Sequence, residues 1–237
     1  MKMKLKSLLV ITIVISAVFM LADLSHAYRP LATEDAGVGA SGELVIEGAY
    51  ELAREGSDNT HAIAHALVIG LGKAELIFEA PYVLNGPGEG VGGVVIAAKL
   101  LLWGKDEGTG MLTIKSEYDA PGNAFGLSLV GSKTLFGPFQ AHLQMGWSNN
   151  LVNGAGNVDG LFYGFALDFE AAKWLNIVAE ITGEYYKEGG VKYKPTSFVG
   201  GLILKPMEML AIDIGCGAGI TDEADDVAFV VGVTLAL

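Results

Sequence analysis

The sequence predicts an all-β protein, a transmembrane antiparallel up-and-down β-barrel of about 12 strands. Three observations carry this. Apolar and polar side chains alternate along most of the chain beyond residue 41, the period of a strand with two unlike faces. The chain is 51% hydrophobic, yet beyond residue 27 it has no run of 18 apolar residues, so no helix there is long enough to span a bilayer. Glycine is in excess, with 33 residues in 237, about twice the usual ~7%. In lipid, only helices and closed barrels satisfy their own backbone. An apolar, helix-poor chain is therefore expected to close into a barrel.

The N-terminus predicts export. Lys2, Lys4 and Lys6 form a short positive region, residues 8–21 are almost continuously apolar, and Ser25-His26-Ala27 offers small residues where a signal peptidase reads. Residues 1–27 are thus expected to be a cleaved signal peptide, and the destination is expected to be the bacterial cell outer membrane. The formal net charge is -12; residues 1–27 hold three Lys and one Asp, which leaves -14 on the rest. That balance argues against nucleic acid as a partner, because phosphate binding needs clustered Lys and Arg. The single Cys216 cannot form an intramolecular disulfide.

Residues 28–41 contain no alternating run and carry Pro30, Gly37 and Gly39. They are expected to be an N-terminal periplasmic or lumen-inserting segment, with Arg29 pairing with an acidic lumen and Tyr28 and Leu31 gaining burial. Residues 42–237 form the expected barrel. Strands are read at 42–52, 60–70, 73–83, 93–103, 109–118, 124–134, 138–148, 159–169, 174–186, 196–205, 208–219 and 227–237. Ten residues suit a tilted strand crossing an apolar band ~25 Å tall. In the first strand, Leu44, Ile46, Tyr50 and Leu52 share one face while Glu43, Glu47 and Glu51 share the other. Leu76, Phe78 and Tyr82 oppose Glu75 and Glu79. Phe139, Leu143, Met145 and Trp147 oppose Gln140, His142 and Gln144. Ile177, Ile181 and Tyr185 oppose Glu180 and Glu184. The last strand sets Val227, Phe229, Val231, Val233, Leu235 and Leu237 against small residues. The facing of strand 60–70 stays open, because His61 and His65 share a face with Ile63, Leu67 and Ile69 while alanines occupy the other.

Connections at 70–73, 104–108, 135–138, 170–173 and 205–208 are short, and those at 84–92, 148–158 and 186–195 are longer. Short periplasmic turns and longer outer loops are the layout of outer-membrane barrels. The same alternation would serve a soluble sandwich or lipocalin-like barrel. Apolar faces on nearly every strand, with Tyr82, Trp103, Trp147, Phe169, Trp174, Tyr185 and Tyr186 near strand ends, favour lipid contact and interfacial aromatic girdles. The expected partners are the lipid bilayer and lipopolysaccharide, the barrel assembly machinery through the C-terminal strand, and a small-molecule solute.

The run Tyr28-Arg29-Pro30-Leu31-Ala32-Thr33-Glu34-Asp35-Ala36-Gly37, followed by Glu43-Leu44-Val45-Ile46-Glu47, resembles the N-terminal signature of the MetA-pathway of phenol degradation family of outer-membrane β-barrel proteins. The signature covers about 20 residues, and the rest resembles the family only in its strand pattern and in ending on an alternating strand. It implies envelope passage of small, aromatic or apolar molecules. The chain is short for that family and ends in Leu237, where many such barrels end in Phe.

The lumen and selectivity candidates are Glu47, Glu51, Glu75, Glu79, Lys99, Lys115, Glu117, His142, Asp168, Glu180, Glu184 and Asp213. Charges of both signs either pair across the interior and fill it or line a polar channel whose selectivity they tune. An acidic excess favours cations. Gly164, Ala166, Gly215, Gly217, Gly219 and Gly232 either leave space beside that wall or admit side chains from opposite. No catalytic group is expected. His142 has no Ser two residues away on its face, and Ser128 is the nearest candidate on the preceding strand. The Gly88-Glu89-Gly90-Val91-Gly92-Gly93 run lacks the following helix that a dinucleotide site needs. Asp222-Glu223-Ala224-Asp225-Asp226 reads as a solvated loop, with a divalent cation as the alternative. No cofactor and no metal site are expected. Two function classes stand: a passive channel or transporter, or a structural or interaction barrel with a plugged lumen.

Overall fold

A computed structural model describes residues 30–86, 89–91, 93–120, 124–152, 156–188 and 191–237. The expected signal peptide, Tyr28 and Arg29 lie outside the described residues, as do parts of the Gly88–Gly93 run. Fifteen strand segments follow in order: β1 (Leu44–Glu55), β2 (Asp58–Gly70), β3 (Ala74–Glu79), β4 (Tyr82–Asn85), β5 (Gly90–Val91), β6 (Val95–Trp103), β7 (Met111–Asp119), β8 (Ala124–Phe136), β9 (Phe139–Val152), β10 (Gly156–Ala172), β11 (Leu175–Glu188), β12 (Val191–Tyr193), β13 (Thr196–Met207), β14 (Leu210–Gly219) and β15 (Val227–Ala236). There is no helix among the described residues.

Each strand pairs antiparallel with its neighbour, and β1 pairs with both β2 and β15, from Val45↔Ala236 to Arg54↔Val227. That pairing joins the two ends of the sheet, and the result is a closed barrel of twelve strands. β4 and β5 continue the β2–β3 region above a break, and β12 folds back on the end of β11. One end of the barrel carries the turns 71–73, 104–110, 137–138, 173–174 and 208–209. The other end carries 56–57, 194–195 and 220–226.

Several connections differ from the sequence reading. The long loops expected at 148–158 and 186–195 are mostly strand. β9 and β10 stay in register out to Val152↔Gly156, and β11 pairs with β12 from Tyr186↔Tyr193. Between the strands read at 42–52 and 60–70, the connection narrows to a two-residue turn closed by Glu55↔Asp58, with Gly56 at φ +57. Strand 73–83 breaks at Ala80–Pro81, since proline has no N–H to give the ladder. Ala80 still donates to the His65 carbonyl at 3.0 Å, and the register shifts between His61 and Ala62.

The outward side chains are apolar around the whole circumference, among them Ile46, Phe78, Ile96, Leu129, Leu143, Phe165, Ile181, Leu202, Ile214 and Val231, all exposed. Such a surface suits hydrocarbon rather than water. Aromatic rings mark both rims. At the short-turn end Phe139 stacks on Phe169 at 4.7 Å, with Phe136 beside it and Trp103 and Trp174 exposed. At the other end stand Tyr82, Tyr118, Trp147 and Phe125. Tyr186 does not join this girdle. It shares the face of Glu180 and Glu184 and stacks on Tyr193 at 5.1 Å. Outside, the Tyr163 ring lies over Gly183, where a Cβ would sit 2.4 Å from the Tyr163 hydroxyl. Cys216 is exposed on the outer wall. β2 turns His61 and His65 outward, and His61 Nδ1 lies 2.5 Å from the Tyr50 hydroxyl.

Candidate functional site: a strap across an acidic lumen

The interior is built by the same alternation that makes the outer wall. β1 turns Val45, Glu47, Ala49 and Glu51 inward, and β3 turns in Glu75, Ile77 and Glu79. β6 and β7 contribute Lys99 and Lys115, which stand directly opposite each other across the ladder. β8 to β11 add Ser128, Ser132, His142, Gln144, Asp168 and Glu180, all buried. The remaining candidates, Glu117, Glu184 and Asp213, also point in; Asp213 is fully buried.

Residues 30–40 cross this lumen as an extended strap. It enters at the short-turn end, where Gly39 N donates to Glu75 Oε2 at 2.8 Å and Gly72 N donates to the Gly39 carbonyl at 3.0 Å. Ala36 N then donates to Ser132 Oγ at 2.7 Å, and Glu34 N to Gln144 Oε1 at 3.0 Å. The two oxygens of Glu180 accept from Ala32 N at 2.7 Å and Thr33 N at 2.8 Å. A strap without regular structure needs partners for its amides in a closed interior, and wall side chains supply them. Hydrogen bonds to carboxylates are worth about 1.5–3 kcal/mol each, so Glu75 and Glu180 are the strongest of these anchors.

Side chains fix the strap's position as well. Leu31 is buried among Ala166, Val178, Ile203 and Ala211, a small apolar core inside the barrel. The small inward residues make room for it. A Cβ on Gly164 would meet Thr33 Oγ1 at 2.3 Å, and one on Gly215 would meet Pro30 Cβ at 2.6 Å. Gly232 instead admits the Asp213 carboxylate, at 2.5 Å from where its Cβ would stand. Glycine therefore serves strap docking at the first two positions and wall packing at the third.

Glu34 sits between the opposed lysines, 2.6 Å from Lys115 Nζ and 3.4 Å from Lys99 Nζ. Lys99 also pairs with Glu75 at 3.0 Å, and Lys115 with Glu117 at 3.3 Å. Burial alone would raise the Glu34 carboxyl, but Lys115 and then Lys99 outweigh it and hold it down at about 2. Its neighbour Asp35 is pushed up to about 7 by burial, against the pull of Lys99 and with Glu34 and Glu75 adding to the rise. The two groups have opposite pH signatures. The contribution of Glu34 to docking is present above its usual value of 4.5 and is lost as pH falls from there toward 2. That of Asp35 is present below its usual 3.8 and is lost as pH rises through 7. Docking is thus expected to weaken between pH 5 and pH 8, and limited proteolysis of residues 30–40 should run faster at pH 8. Equal cleavage at both values, with a protease whose own rate is corrected for, would remove Asp35 from this role.

Two cavities flank the strap. The larger, of about 750 Å³, runs along β1, β2, β3 and β15. Glu43 and Gly70 line it at the short-turn end, and Ala53, Asp225 and Ala228 at the other. Nine carboxylates and two lysines line it. The smaller, of about 480 Å³, lies toward β10, β11 and β13, with Glu117, Glu184, Phe162 and Ser197 in its wall. Ala32, Thr33, Glu34, Lys115, Thr182 and Asp225 line both, so the strap and its ion pair form the partition between them. The 222–226 loop is not simply solvated. Ala224 is buried and Asp225 faces both cavities. Among the described residues no group of three or more His, Cys, Asp or Glu is placed to hold a metal ion.

His142 has a serine beside it after all, although not the expected one. Ser132 Oγ lies 2.8 Å from His142 Nδ1, because the β8–β9 register sets Ser132 opposite His142 and Ser128 opposite Gly146. Ser128 accepts from Gln144 Nε2 at 3.2 Å instead. The Ser132–His142 pair is buried and spent on the strap's Ala36 amide, which leaves no approach for a substrate carbonyl. Asp168 is likewise engaged, accepting from Asn176 Nδ2 at 2.8 Å.

No protein-family model and no curated protein matches this chain. Solved structures do. A NanC porin aligns with a TM-score of 0.63 at 9% identity, and a KdgM porin with 0.60 at 12%. A KdgM porin in complex with disordered oligogalacturonate aligns with 0.58 at 13%. Each comparison covers 81% of this chain and 98% of the other. At such identities the likeness is one of fold, and this twelve-stranded barrel shares its fold with these porins.

Proposed function

We propose that this chain is an outer-membrane channel for the passive passage of small molecules, exported by a cleaved signal peptide at residues 1–27. One observation carries the reading: a cavity of about 750 Å³ passes beside the strap from Glu43 and Gly70 at one barrel end to Ala53 and Asp225 at the other. A barrel plugged for strength alone has no need of such a passage. The apolar outer wall and the porin fold support the setting, with the bilayer, lipopolysaccharide and the assembly machinery as partners. The N-terminal resemblance to the MetA-pathway family supports the same reading, and the residues that carry it are those that cross the lumen. The acidic lining favours cations and neutral molecules and disfavours a polyacid such as the oligogalacturonate in that KdgM structure. The buried Leu31 core favours the second reading, a structural or interaction barrel with a closed lumen. Single-channel recording of the purified protein in a planar bilayer separates them. Discrete cation-selective openings are expected; a silent barrel, in protein shown to be folded and inserted, supports the second reading.

A further inference from the structure

We propose that Glu34 of the strap sets the ion selectivity of the passage by cancelling the two lysines of its wall. The inference rests on the channel reading above. Lys99 and Lys115 are opposed across the β6–β7 ladder, an arrangement of like charges that is unfavourable in itself. Glu34 bridges them, and with Glu75 and Glu117 at the ends the five groups alternate in sign: Glu75, Lys99, Glu34, Lys115, Glu117. This ladder carries one net negative charge. It lies on the partition, since Glu34 and Lys115 line both cavities. Charge at a partition of low dielectric acts on a permeating ion far more strongly than charge at a wide vestibule. Without the Glu34 carboxylate the ladder is neutral and its two ammonium groups face each other across the gap.

Glu34 adds to the anchoring of the strap but is not its only hold. The amide bonds to Glu180, Gln144, Ser132 and Glu75 use backbone N–H groups, and Leu31 holds by burial. The substitution Glu34→Gln keeps the backbone donor and the side-chain size and removes only the charge. The test is the reversal potential under a KCl gradient for the native chain, E34Q, E34D and K115Q. The K+ over Cl- permeability ratio is expected to fall severalfold in E34Q, to stay near native in E34D and to rise in K115Q. An unchanged ratio in conducting E34Q overturns the proposal. So does a conductance jump in E34Q without a shift in ratio, because that makes Glu34 an anchor only. If E34Q fails to fold, K115Q decides by the same ratio. A native barrel that carries no current, and still carries none when residues 28–40 are removed, overturns the channel reading and this inference together.

Discussion

A chain lacking residues 28–40 is expected to pass several-fold more current per channel than the full-length barrel. Residues 30–40 occupy the middle of the lumen, from Glu75 on one wall to Glu180 and the Leu31 core on the other. Their removal joins cavities of about 750 Å³ and 480 Å³ that now share a partition. The barrel itself should survive, because its closure rests on the β1–β15 ladder and not on the strap. The cost falls on Lys99 and Lys115, which lose Glu34 but keep Glu75 and Glu117. Conductance and small-solute uptake that stay at the native level, in a barrel that still assembles, would show that the strap is no obstruction.

Val231→Arg and Glu180→Gln should part company in assembly. Val231 is exposed on the outer wall, and an arginine there near the midplane of a bilayer costs ~2–4 kcal/mol. Glu180 is buried in the lumen and holds two strap amides. Glutamine retains one acceptor oxygen, so the barrel should fold while the strap loosens. The expected result is a sharp loss of folded, heat-modifiable protein for V231R and near-native yield for E180Q, with E180Q strap cleavage accelerated. Equal yields would mean that the outer wall is not in lipid.

The alternation of side chains made the wall legible. Glu47, Glu79 and Glu180 line the lumen and Phe78, Ile181 and Val231 face out because a strand has only two faces and a charge on the apolar one is costly. What alternation cannot carry is register between strands. Ser128 and Ser132 lie on the same face of β8, and only the pairing with β9 decides which meets His142. Strand 60–70 is ambiguous for a related reason: its alanines suit either face, and only the pairing with β3, which sets Ala66 beside the inward Glu79, places them in the lumen. The glycines were legible as an excess but not as a purpose. Gly164 and Gly215 are small because Thr33 and Pro30 press on them, and residues so far apart in sequence leave no local trace of that contact.

The strap's anchors also dictate an order of events. Its amides find acceptors 36, 96, 110, 147 and 148 residues further along the chain, on β3, β8, β9 and β11. No half-built sheet offers all of these at once, and each long loop must be closed before its bond can form. The strap is therefore expected to seat only after β3, β8, β9 and β11 are in place, although its residues precede every strand that holds them. Until then the interior lacks Leu31 and the Glu34 bridge between Lys99 and Lys115, so the last residues to dock are the first to be made.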